Sequence, residues 1–246
     1  MTGRSPPGPF ILLSPSMATT HTSCVRPEES LISVLEQRAE KTPDATAYIF
    51  VPAGEGSDVR ITCAQLRDRS RQIGSYLRTK PVRKDHPVLL LFHPGIDYIC
   101  AFFGCQYAAA IPVPAYPPTH ARQFDRLQAI IDDAATGFAL SSRKELDAVP
   151  PIAARMEGLS IKSWLSVDAA EEMAAEPVDP HLDAWRIAFL QDTSGSTSAP
   201  KGVIVTHGNV LANLRLNGGA GLHPRQLLRS GRPLAWRHAG DLQGAQ

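Results

Sequence analysis

The 246-residue sequence predicts an α/β fold, a mainly parallel sheet flanked by helices, and three observations carry that reading. Between residues 88 and 140, short apolar runs of strand length alternate with longer segments whose apolar residues recur every three or four positions, giving β, α, β, α, β. Val88-Leu-Leu-Leu-Phe92 is apolar without alternation, the pattern of a strand covered on both faces of a parallel sheet. Composition is that of a globular chain, 43% hydrophobic and 20% charged. Parallel neighbours need right-handed crossovers, so helices belong on both faces.

Residues 1–27 are rich in Pro, Ser, Thr and Gly and lack periodicity, which predicts a disordered leader, with Met17 an alternative start. A helix is expected over 28–40, with Leu31, Val34, Leu35 and Ala39 on one face, Glu28 and Glu29 at the positive end of its dipole, and Pro43 as the stop. Strands over 45–51 and 59–62, joined by a turn at Gly54-Glu-Gly56, predict a hairpin. Thr62-Cys-Ala-Gln65 has capping-box spacing and opens a helix whose face runs through Leu66, Ser70, Ile73 and Leu77.

After the strand at 88–92 comes a helix over 96–109. Its Phe102, Phe103 and Tyr107 fit either a core or an acyl pocket, and core is the favoured reading. His93, before Pro94-Gly95, reads as a turn residue. Ile111-Pro-Val-Pro-Ala-Tyr116 reads as a strand interrupted by prolines, hence near an edge or ending in a loop. A helix over 122–135 turns Phe124, Leu127, Ile130 and Ile131 inward, and a strand follows at 136–140. Beyond it the pattern predicts a helix over 144–156 broken by Pro150-Pro151, a strand at 162–167, an acidic, alanine-rich helix over 168–176, and a link between subdomains at 177–183.

A formal net charge of +1 supplies no field for recruiting nucleic acid or an anionic membrane. No apolar run approaches the roughly 20 residues that span a bilayer. Cys24, Cys63, Cys100 and Cys105 form no CxxC pair and have no matching histidine spacing, so free thiols in a reducing cytoplasm are expected, with no metal site.

The stretch with the most chemistry is Thr193-Ser-Gly-Ser-Thr-Ser-Ala-Pro-Lys-Gly202, set between strand-like runs at 186–191 and 202–206. Gly195 and Gly202 allow close backbone approach, Thr193, Ser194, Ser196, Thr197 and Ser198 offer hydroxyls, and Lys201 a compact positive charge. Together they suit the oxygens of a polyphosphate. A Walker A loop would place Gly before the lysine and a helix after it, whereas here Pro200 precedes and Val203-Ile-Val205 follows. His207 is expected to cap the helix over 210–216 or to pack at the strand end.

From Leu190 to Asn213 the sequence closely resembles the phosphate-loop signature of adenylate-forming enzymes, the superfamily of acyl-CoA synthetases, peptide-synthetase adenylation domains and luciferases. Ser196-Thr-Ser-Ala-Pro-Lys201, Pro94-Gly-Ile-Asp-Tyr98, Ala101-Phe-Phe-Gly-Cys105, Ala110-Ile-Pro-Val-Pro-Ala-Tyr-Pro-Pro118 and Arg126-Leu-Gln-Ala-Ile130 look most like the fatty acyl-AMP ligases. The resemblance implies that residues 28–217 are the partial N-terminal domain of such an enzyme. It also implies ATP and Mg²⁺ as cofactors, a fatty acid as substrate, and an acyl-carrier protein as acceptor. Thr193, Ser194, Gly195, Ser196 and Thr197 then meet phosphate oxygens, Lys201 neutralises β/γ charge, and Gly202 closes the loop. Asp192 departs from the family, which has an aromatic or other uncharged residue there, and its carboxylate repels phosphate unless paired or Mg²⁺-bound. The family's adenine-binding aromatic segment, ribose-gripping acid and small C-terminal domain with its catalytic lysine are not matched, so no catalytic residue is assigned.

Two function classes stay open: a fragment of an ATP-dependent ligase, including an acyl-CoA ligase or peptide-synthetase variant, or a non-catalytic nucleotide- or partner-binding remnant. Residues 218–246 carry Arg225, Arg229, Arg232 and Arg237 opposed by Asp241 and sustain no pattern. They read as a basic tail or, the preferred reading, as an irregular segment produced by truncation or a change of frame.

Overall fold

The computed structural model describes residues 11–12, 25–27, 29–51, 57–118, 121–147, 159–177, 181–193 and 201–218. The turn at residues 54–56, most of the leader and nearly all of the 218–246 tail lie outside them. Within the leader stretch, Ile11–Leu12 form a short strand, β1.

Helix α1 (Leu31–Lys41) begins at a capping box in which Ser33 N donates to Ser30 Oγ and Ser30 N to Ser33 Oγ. Glu29 thus stands before the cap rather than in the first turn, and it pairs with Arg26 and Arg215 instead of the helix amides. Strands β2 (Thr46–Phe50) and β3 (Val59–Thr62) form the expected antiparallel hairpin. The capping box at Thr62 and Gln65 opens α2 (Cys63–Arg78), whose Leu66, Ser70, Ile73 and Leu77 are buried.

The main sheet contains β4 (Pro87–Leu91), β5 (Ile111–Ala115), β6 (Phe138–Ser141) and β7 (Ser163–Ser166), all parallel, in the order β5-β4-β6-β7. Helix α3 (Ile96–Tyr107) leads from β4 to β5, and α4 (Ala121–Asp133) leads from β5 to β6 on the far side of β4. The winding therefore reverses between β4 and β6. Val88 and Leu90 of β4 enter the core shared with α1, α2 and α3, while Leu89 and Leu91 enter the core shared with α4. All four are buried, which is why the strand shows no polar alternation.

Strand β5 tolerates its prolines because of its register. Ile111 N donates toward the β4 side, to His86 O, and with a side-to-side period of two Pro112 and Pro114 put their missing donors on the opposite side. Along that side lies β8 (Ile187–Thr193), paired antiparallel with β9 (Lys201–Thr206), which in turn pairs with β1. Helix α6 (His207–Gly218) follows β9 directly, and α5 (Arg143–Asp147) is a short turn after β6.

Three further expectations need correction. The helices expected to reach residues 109 and 135 end at Tyr107 and Asp133, because Ala109 and Ala135 take left-handed φ of 54° and 49°. In both places the next amide reaches back over the last turn, Ala110 N to Cys105 O and Thr136 N to Ile131 O, the Schellman arrangement. The acidic helix over 168–176 is only a 3-10 turn, Val167–Ala170. Asp168 Oδ2 there accepts from Ser166 Oγ and Arg143 N, and 168–176 supplies no apolar stripe to offset helix nucleation.

Candidate functional site

The β8–β9 hairpin forms the stem of the Ser/Thr/Gly loop. Its apolar residues fix it in place: Phe189 sits in one core and Leu190 in the other, so β8 extends the sheet layer beside β5. The final pair, Thr193 opposite Lys201, brackets residues 194–200. Of the expected phosphate residues, Thr193 and Lys201 are thus brought together as cross-strand partners, and Gly202 lies opposite Asp192. Ser194, Gly195, Ser196 and Thr197 lie outside the described residues. The Gly202 amide donates to Asp133 Oδ2 on α4 at 3.1 Å.

Asp192 is paired. Its Oδ2 accepts from Arg126 Nη2 on α4 at 2.9 Å, and its side chain is only 8% exposed. Among the described residues its Oδ1 has no hydrogen-bond partner. Asp133, Asp192, Gln191 and Gly202 share a cavity of ≈ 10 Å³ with Val113, Ile130, Ala134 and Leu190. A roomier trough of ≈ 550 Å³, walled by Val59, Arg60, Arg69, Asp97 and Glu171 among others, shares no residue with the stem.

His207 does not cap its own helix. Thr206 does that, accepting from Asn209 N while Asn209 Oδ1 accepts from Thr206 N. The fully buried His207 instead accepts the Leu31 amide at the start of α1 through Nδ1, at 3.1 Å. Burial lowers its pKa to about 4, with Asp183 opposing and Arg186 adding to the shift. The ring is neutral at pH 7 and holds two elements together. At Gly208 a Cβ would lie 2.9 Å from Ala184 O, so the exit from β9 is packed against backbone.

His93 stands in irregular backbone just before the bend at Pro94 and Gly95, and its Nδ1 meets Glu145 Oε2 at 2.6 Å, joining the segment after β4 to α5. Phe102 stacks edge-on against Phe103 and Phe189, and Tyr107 donates to Glu36, which Arg71 grips with two bonds; these aromatics are core. Cys63, Cys100 and Cys105 are buried free thiols. Among the described residues no group of three or more His, Cys, Asp or Glu is arranged to hold a metal, and no helix is long and apolar enough to cross a membrane.

A parallel sheet flanked by helices, with a Ser/Thr/Gly-rich segment between the strands of an adjoining hairpin, makes this an α/β protein. The chain belongs to the AMP-binding enzyme family, which it matches over residues 35–237. It is 32% identical over 192 residues to the medium-chain-fatty-acid–acyl-carrier-protein ligase JamA of Moorena producens, an alignment covering 76% of this chain and 32% of that protein. It is 32% identical over 195 residues to the long-chain-fatty-acid–AMP ligase FadD26 of Mycobacterium tuberculosis, covering 76% and 33%. Among solved structures it resembles a fatty acyl-adenylate ligase from L. pneumophila in complex with acyl adenylate and pyrophosphate, with a TM-score of 0.64 and 31% identity over 76% of this chain and 32% of that one. The chain spans about a third of the length of the curated relatives it matches.

Two residues of this site, Arg126 and Asp133, were not assigned from sequence. Their spacing of seven, with Ile130 between, puts them on one face of α4 two turns apart, and that was the available signal.

Proposed function

We propose that this chain is the amino-terminal part of a fatty acyl-AMP ligase and that its 193–202 segment holds the phosphates of ATP. The observation that carries the reading is the cross-strand pairing of Thr193 with Lys201, which brings together the two ends of a segment that is rich in Ser, Thr and Gly in the sequence. That donor set suits a polyphosphate: hydroxyls and loop amides donate to its oxygens, and the Lys201 ammonium neutralises charge. Gly202, whose amide already serves Asp133, contributes as part of the stem.

In the reaction of such a ligase a fatty acid carboxylate oxygen attacks the α-phosphorus of ATP, forming acyl-adenylate and expelling pyrophosphate. The acyl carbon is then attacked by the phosphopantetheine thiol of an acyl-carrier protein, with AMP leaving. Thr193, Ser194, Ser196 and Thr197 would hold the polyphosphate in line, and Lys201 would stabilise the charge that builds on pyrophosphate. Mg²⁺ would enter on the nucleotide's own oxygens, supplying charge neutralisation. The names of the relatives favour fatty acids over amino acids and AMP ligation over CoA ligation.

Because the 246 residues span a third of these relatives, the chain by itself is expected to bind polyphosphate without completing adenylation. Thermal-shift titration tests the first half: ATP and tripolyphosphate should raise the melting temperature and adenosine should not. Equal or absent shifts with all three would sink the phosphate reading. A pyrophosphate-release assay with ATP, Mg²⁺ and medium to long fatty acids should give no acyl-adenylate, and clear product would show a complete active site.

A further inference from the structure

We propose that Asp192 and Arg126 are positioning residues of the phosphate loop. One face of α4 fixes both strands of the stem and cancels a negative charge that would otherwise face the polyphosphate. The inference rests on the phosphate reading above and concerns a residue at which this chain departs from the fatty acyl-AMP ligase pattern.

The two attachments lie on opposite strands. Arg126 Nη2 reaches Asp192 Oδ2 at 2.9 Å on β8, directly before Thr193, and Asp133 Oδ2 takes the Gly202 amide at 3.1 Å on β9, directly after Lys201. Asp192 and Gly202 are cross-strand partners, so α4 bridges the hairpin one step below the pair that closes the loop. Seven residues separate Arg126 from Asp133, two helical turns, and Ile130 between them lines the small cavity under the stem.

Charge makes this arrangement more than packing. The Asp192 side chain is nine-tenths buried, and among the described residues its Oδ1 has no partner and its Oδ2 pairs with the Arg126 guanidinium. Removing Arg126 would leave a buried carboxylate within a residue or two of the phosphates, where water screens it poorly. The Arg126 side chain is half exposed, so it holds Asp192 without being sealed from solvent.

The test uses the whole chain with inorganic pyrophosphate as probe, followed by calorimetry, alongside amide hydrogen exchange. R126Q should weaken pyrophosphate binding by about tenfold or more at low salt. R126Q/D192N, with the stranded charge removed, should recover to within roughly threefold of the parent, and R126K should keep most of the affinity. Equal weakening in R126Q and R126Q/D192N would overturn the charge-cancelling role. Amide exchange at Gly202 and its neighbours should accelerate in R126Q and slow again in R126K, and unchanged exchange in R126Q would overturn the positioning role. If the parent chain fails to bind pyrophosphate while exchange responds as expected, the phosphate reading falls and the positioning role of α4 stands.

Discussion

His207 shows how one buried side chain makes stability depend on pH. The unfolded ring titrates near 6.5 and the folded one near 4, so between those values the unfolded chain binds more protons. Stability contributed by the neutral ring is therefore fully present above pH 6.5 and is lost as pH falls through 4, by up to roughly 3 kcal/mol. Urea unfolding from pH 7 to 4.5 should show falling midpoints, and His207→Gln should flatten that slope while lowering stability at pH 7. An identical slope in the variant would mean that other groups set it. Sequence alone left this histidine between a helix cap and a strand-end packing role and could not name its partner, because Leu31 lies 176 residues away. Asp192 was equally visible as an anomaly, and its neutralisation was not, since Arg126 is 66 residues upstream.

At the level of elements, a helix boundary was legible where side chains make it and hidden where the backbone alone does. Thr62 and Gln65 announce α2 because a hydroxyl and an amide at that spacing satisfy two orphan N–H groups. Ala109 and Ala135 announce nothing: alanine is the best helix former, yet here it takes the left-handed position that glycine usually fills. Replacing either by Gly should stabilise the protein by about 0.5–1 kcal/mol, readable as a higher urea midpoint with an unchanged m-value. The α2–α3 contact makes the opposite prediction. A Cβ on Gly104 would lie 2.4 Å from Ile73 Cγ2, and one on Gly74 would lie 2.6 Å from Tyr107 Cβ. Gly104→Ala should destabilise by roughly 1–3 kcal/mol, because neither helix backbone can withdraw from a packed core. A neutral result in denaturant titration would show that the helices slide apart at little cost.

For the whole molecule, the parallel sheet and its two helical layers were legible because the code for them is local: unbroken apolar strands, amphipathic helices, and crossovers of one hand. The segment proposed to hold phosphate stands out in the sequence because Ser, Thr, Gly and Lys lie between β-branched runs. What holds the loop was not legible, because it depends on which face of α4 the sheet order turns toward β8 and β9. The α2–α3 unit that covers the other face also carries a chemical consequence. Cys63, Cys100 and Cys105 all reside in it, sealed from solvent, and burial raises the pKa of Cys105 and pushes that of Cys100 up to about 12. Thiolate, the form that reacts with alkylating agents, is scarce at Cys100 and Cys105 until the helices part. The three sulfurs are therefore an internal clock for opening: in native buffer a maleimide should consume them only as fast as this layer unfolds.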